Sequence, residues 1–158
     1  VITGDWDKLQ GVLDGLANNF KGEMSKQVGK GVKLIETRVL SHIDKQDLDW
    51  QPLTKKYEKR KADKGLDPDI LRATNRMYSN ITTVQLNSFE GATGVRRGVK
   101  TIDGDDVVDI ALIHEQPEKD SDDETGVIPA RKLWQPTFKE VEKELPEKVI
   151  KAVIRMVK

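Results

Sequence analysis

The chain has no cysteine. That removes disulfides, thiolate nucleophiles and cysteine-based zinc sites together. Histidine is nearly absent, with His42 and His114 far apart in sequence, which excludes the metalloprotease pattern of two histidines one helical turn apart. Aromatic residues are only 5% of the 158 positions. No apolar run approaches the roughly 18 residues of a membrane-spanning helix. The first residue is Val1, and the opening shows no basic region followed by an apolar stretch, so no secretory signal is expected. Net charge is also missing: 27 basic side chains balance 27 acidic ones. A whole-surface nucleic-acid binder would be basic. Phosphate-cradling and nucleophile-elbow motifs are absent as well.

What is present is charge, at 34%, over an apolar fraction of 36% with a mean hydropathy of −0.60. Even with the 12 glycines counted, the apolar share falls under the usual ~45–50%. The core should be thin, and such a subunit gains stability from neighbours. The length fits one domain over 1–158.

Five segments follow from pattern. Over 1–45, Trp6, Leu9, Leu13, Leu16, Phe20, Met24, Val28, Val32, Ile35, Val39 and Ile43 recur about every 3.7 residues, a helical period. Thr3 or Asp5 can cap this helix. Interior glycines predict a break or bend near Gly22 or Gly29–Gly31. The reading is an amphipathic helix covering a sheet; irregular charges beside the stripe argue against a self-standing coiled coil. Over 49–81, Pro52 holds Gln51 extended. The stretch Thr54–Lys64 carries six cations against two acids, as a solvated helix or loop or as an electrostatic docking patch. Asp67-Pro68-Asp69 predicts the start of a short helix ending near Ser79–Asn80. Over 82–115, Val84 and Leu86 alternate with polar residues, glycines punctuate a second strand through Val95 and Val99, and Val107–Ile113 reads as the best strand of the chain. A sheet of three or four antiparallel strands is expected, because the links are too short for parallel crossovers. Over 116–127 lies an acidic loop without apolar residues up to Gly126, long enough to be functional or disordered. Over 136–158, Thr137 and Glu140 fit a capping box opening a last helix, with a kink or restart at Pro146.

No catalytic constellation emerges. His114-Glu115 is the one pair able to serve as acid and base, and it has no nucleophile or third member; a polar strand end is the plainer reading. Asp103-Gly104-Asp105-Asp106 lacks the spacing of a calcium loop. Neither metal nor cofactor is called for, and the chain reads as a non-enzyme.

Four short boxes carry a resemblance. Asp49-Trp50-Gln51-Pro52-Leu53-Thr54, followed by a Lys-rich stretch, resembles the Trp-x-Pro-Leu-Ser/Thr box of phage virion-morphogenesis and tail-completion proteins. Ile70-Leu71-Arg72-Ala73-Thr74-Asn75-Arg76-Met77 with Ser79-Asn80-Ile81 resembles that family's second box, with Asn75 in place of Gly. Ile110-Ala111-Leu112-Ile113-His114-Glu115 resembles the third, with Ile110 for Tyr and Gln116-Pro117-Glu118 for a Phe-Gly turn. Ile128-Pro129-Ala130-Arg131-Lys132-Leu133 resembles the fourth, with Lys132 for Pro. Order and spacing agree across 49–134.

The resemblance implies an α+β fold: a small curved antiparallel sheet packed by the long N-terminal helix, with a short middle helix and a C-terminal helix. It implies a structural virion protein at the head–tail junction or the head-proximal end of the tail, made in the host cytoplasm and built into a ring, expected to be a hexamer. Its partners would be further copies and other neck, tail-terminator or tail-tube proteins, with no membrane and with DNA only as cargo passing through. The alternative is an assembly factor that binds head or tail components without staying in the particle. Box residues Trp50, Pro52, Leu53, Leu71, Thr74, Asn75, Ile81, Ala111, His114, Ile128, Pro129, Ala130 and Arg131 have structural jobs in this reading. A ring needs one face to meet a different face of the next copy. The candidate pair is the cationic Lys55, Lys56, Lys59, Arg60 and Lys61 against Asp120, Asp122, Asp123 and Glu124. In a DNA conduit those acids would repel phosphate.

Overall fold

The computed structural model describes residues 4–101, 104–116 and 129–157. Helix α1 (Trp6–Lys45) runs the length of the molecule, and α5 (Trp134–Val157) packs against its second half. Between them come α2 (Lys55–Asp63), α3 (Arg76–Ser79), the hairpin β1 (Ile81–Gln85) and β2 (Gly91–Val95), and α4 (Val107–Glu115). The fold is α+β, with a helix packed on an antiparallel sheet.

Asp5 caps α1 by accepting from the Lys8 amide at 3.2 Å. Gln46, left-handed at φ 53, ends it by donating its N–H to the His42 carbonyl. The break expected at Gly22 or Gly29–Gly31 does not occur. Gly31 is buried where α5 crosses, and a Cβ there would lie 3.3 Å from Leu145 Cδ2. Its low helix propensity is offset by the close approach it permits. Val39 and Ile43 are fully buried, and with Ile35, Met77, Ile81, Val107, Leu133 and Val141 they form the core.

Among the described residues the sheet has two strands, not three or four. Ile81 pairs with Val95 and Gln85 with Gly91, antiparallel. The hairpin lies on α1: Thr93 Oγ1 donates to the Val32 carbonyl at 3.0 Å, and Gln85 Nε2 donates to the Ser25 carbonyl at 2.9 Å. Lys100 and Asp106 add one isolated bridge.

Val107–Ile113 is helical rather than a strand. Asp106 accepts from the Val108 amide at 3.0 Å, a helix-starting cap. Val107 is buried and Ala111, four residues on, packs against the core, while Leu112 and Ile113 are exposed. A short apolar run does not by itself distinguish a strand from a buried helical turn.

Asp67-Pro68-Asp69 does not open a helix either. Asp67 Oδ1 accepts from the Asp69 amide, two residues on, in a local turn. Leu71 and Asn75 are left-handed, at φ 65 and 55, so helix begins only at Arg76. Asn75 therefore stands immediately before the short helix. The last helix starts three residues ahead of the expected capping box. Thr137 is fully buried and donates to the Leu133 carbonyl at 2.7 Å. Pro146 sits inside an unbroken α5.

Candidate functional site

All four boxes contribute side chains to the core or pack against it: Trp50, Leu71 with Met77 and Ile81, Ala111, and Leu133. Trp50, extended after α1, donates its indole N–H to the Lys132 carbonyl at 3.0 Å, joining the first box to the fourth. Thr54, which closes the first box, caps α2 by accepting from the Tyr57 amide at 3.3 Å. Pro52 is exposed and Leu53 half-buried. The Arg131 amide donates to the His114 carbonyl at 2.8 Å, joining the third box to the fourth.

Glu115 starts α5. Its carboxylate accepts from the amides of Leu133 at 2.8 Å, Trp134 at 3.2 Å and Gln135 at 3.1 Å. A helix's first amides have no partner within the helix, and an anion there also meets the positive end of the macrodipole. The pair read as a possible acid and base is thus split: Glu115 is a cap, and His114 is half-buried, its Nδ1 atom buried and unpartnered among the described residues.

Burial, and then the nearby Arg131 charge, lower the His114 pKa from 6.5 to about 4. The sign follows. Between those values the unfolded chain binds a proton that the folded chain does not, so stability is full above pH 6.5 and falls as pH drops toward 4. At 1.36 kcal/mol per unit the loss is about 2–3 kcal/mol once partial solvent access is allowed for. Thermal unfolding followed between pH 7 and 4.5 should show this slope, and His114→Gln should flatten it; an equal slope in both proteins would refute the assignment.

The second box is tied to the end of α1. Arg72 donates to Asp44 Oδ1 at 2.8 Å and Asn75 Oδ1 at 3.1 Å, lies 3.4 Å from Asp67, and stacks 4.7 Å from the Tyr78 ring centroid. Tyr78 donates its hydroxyl to Asp44 Oδ2 at 2.9 Å; burial, and then Asp44, raise its pKa. The Gln46 side chain accepts from the Ile70 amide and donates to its carbonyl. Leu71 packs half-buried on the core, Ile81 lies within it, and Thr74 is exposed. The sequence reading missed Arg72, Asp44 and Gln46, which no local pattern singles out.

The cationic stretch divides. Lys55, Lys56, Lys59 and Arg60 are exposed on α2. Lys61 is not part of that surface. It is 3% exposed, donates to the carbonyls of Pro68 at 3.2 Å and Asp69 at 2.6 Å, and lies 6.0 Å from the Tyr57 ring centroid. Burial lowers its pKa, opposed by Asp67 and Asp69. Arg131 is also buried, at 8% exposed, with Nε unpartnered among the described residues; burial lowers its pKa. Asp120, Asp122, Asp123, Glu124 and Ile128, with most of the acidic loop, lie outside the described residues.

Between the first and fourth boxes is an open depression of about 350 Å³, with Leu48, Trp50, Ala130, Lys132, Gln135 and Lys139 in its lining. Among the described residues no group of three or more His, Asp and Glu side chains is placed to hold a metal ion. No helix there is long and apolar enough to cross a membrane.

No family model and no solved structure matches the chain. One curated protein does: the "Uncharacterized protein MJ0331" of Methanocaldococcus jannaschii is 30% identical over 138 residues, which is 87% of this chain and 93% of that protein. Likeness at this level, running through nearly the whole of both chains, places the present chain in the same protein family as the Methanocaldococcus jannaschii protein.

Proposed function

We propose that the chain is a structural virion protein of the tail-completion or neck type, acting at the head–tail junction or the head-proximal tail end as a ring of identical subunits. One observation carries the reading. The boxes that resemble the phage family share one core and are joined through backbone: the Trp50 indole on the Lys132 carbonyl, the Arg131 amide on the His114 carbonyl, and the Glu115 carboxylate, at the end of the third box, on the amides that start α5. This is a frame, as a girder requires. In such a ring DNA is cargo, and the partners are further copies and neighbouring neck, terminator or tube proteins.

The four exposed cations of α2 supply one face of the head-to-tail contact, and the acids at 120–124 supply the other. Exposed ion pairs contribute about 0–1 kcal/mol each, so they orient subunits more than they bind them. Reversing Lys55, Lys56, Lys59 and Arg60 to Glu is expected to abolish ring formation at low salt, read as particle mass by light scattering. An unchanged mass at both low and high salt would remove this contact from the proposal. Mass spectrometry of purified virions tests the station. Presence in the particle supports it, and absence would turn the reading to an assembly factor that leaves before completion.

A further inference from the structure

Among the described residues, the first half of α1 has no packing partner. Every residue from Gly4 to Gly22 is exposed, and α5 and the hairpin lie against the later turns. Yet this half carries an apolar stripe: Trp6 is 61% exposed, Leu9 47%, Leu13 55%, Leu16 49% and Phe20 38%. A lone helix of this length is marginal in water, and Gly11, Gly15 and Gly22 weaken it further, none of them with a neighbour within 4 Å of its Cβ position.

The spacing changes where the packing begins. From Trp6 to Phe20 the steps are 3, 4, 3 and 4, the heptad seam of a two-stranded coiled coil. From Phe20 to Ile43 they lengthen to mostly four, the part that lies under the body's own elements. The positions flanking the seam inside this stretch are Gln10 and Ala17 on one side and Val12 and Asn19 on the other. They carry no charge, so nothing repels a partner at close range.

We propose that this segment pairs with the same segment of a second copy, antiparallel. Area and charge both point there. At about 200 Å² per large side chain, the stripe and Val12 expose on the order of 600 Å². That is as large as a monomer's biggest apolar patch usually gets, and close to the ~800 Å² per partner of a standard interface. Asp7, Asp14 and Lys21 follow one another at intervals of seven along one edge. In a parallel pair the two copies of this edge lie on opposite sides of the coil, where the charges do nothing for one another. An antiparallel pair that layers Leu9 on Phe20 of the second copy brings Asp7 level with Lys21, twice, and leaves only Asp14 facing its twin. Antiparallel macrodipoles also attract. The contact is two-fold, and a two-fold contact differs from the head-to-tail contact of a ring. It stands without the proposed function: an unchanged mass in the double-Glu variant or self-cross-linking of Leu9→Cys removes this contact and leaves the ring untouched, whereas a monomeric wild type removes both.

The test uses the full chain. Sedimentation equilibrium should give an even number of copies, and Leu13→Glu with Leu16→Glu should halve that number while the circular-dichroism unfolding transition of the body is retained. Orientation is read by cross-linking, since the chain has no cysteine of its own. Leu9→Cys mixed with Phe20→Cys should form a mixed disulfide, whereas Leu9→Cys alone should not, its two copies lying about 16 Å apart along the axis at 1.5 Å per residue. A monomeric wild type, an unchanged mass in the double-Glu variant, or self-cross-linking of Leu9→Cys would each overturn the proposal.

Discussion

Glu115→Ala is expected to cost about 3 kcal/mol of unfolding free energy, the largest loss from any single side chain away from the apolar core. The wild-type carboxylate holds three consecutive amides at the start of α5 with both oxygens. Hydrogen bonds to a charged group contribute about 1.5–3 kcal/mol each, and the anion adds up to about 2 kcal/mol at a helix N-terminus. The sum is reduced because the Gln135 end is exposed and its amide can turn to water. At about 2–4 °C per kcal/mol for a chain of this size, the melting temperature should fall by about 6–12 °C. Glu115→Gln keeps one acceptor oxygen and should recover roughly half of the loss. Circular dichroism on the three proteins decides it. A drop under about 1 kcal/mol for Glu115→Ala would mean that α5 is started by something else.

Gly91→Ala is the second large effect, of opposite physical kind: too much volume instead of a lost bond. A Cβ at Gly91 would sit 2.5 Å from Val32 Cγ1, 3.2 Å from Val28 Cγ1 and 3.2 Å from the Val84 carbonyl oxygen. Valine in a helix is held to one strongly preferred rotamer, so Val32 has little room to turn away. The hairpin cannot lift freely, because Thr93 and Gln85 tie it to α1. Overpacking of this sort costs about 1–3 kcal/mol, and the upper end is expected. Combining Gly91→Ala with Val32→Ala should cost less than the sum of the two single changes, a coupling a double-mutant cycle measures. Strict additivity would show that the two residues do not meet.

These two sites mark the limit of sequence reading. The period of α1 was legible because eleven apolar side chains hold one helical face. Its continuity was not, since the close packing at Gly31 outweighs a local propensity. The run at Val107–Ile113 is rich in β-branched residues, which favour strands; Asp106 and the burial of Val107 with Ala111 decide for helix. The start of α5 was placed wrongly because its cap comes from Glu115, eighteen positions before Leu133, where no local pattern can show it. Lys61 looked like its neighbours in composition. Only the fold turns it inward, onto the carbonyls of Pro68 and Asp69. The box residues were found by likeness, and what the structure adds is that they bind one another.

An unbroken helix of 40 residues also affects how the protein must be weighed. At 1.5 Å per residue it measures about 60 Å, roughly one and a half times the ~39 Å diameter of an ordinary compact chain of this length. Such a particle tumbles and filters like a much heavier sphere. Elution volume will therefore overstate the number of copies, and a diffusion coefficient read through a spherical formula will do the same. Stoichiometry has to come from methods blind to shape, such as scattered intensity or native mass spectrometry.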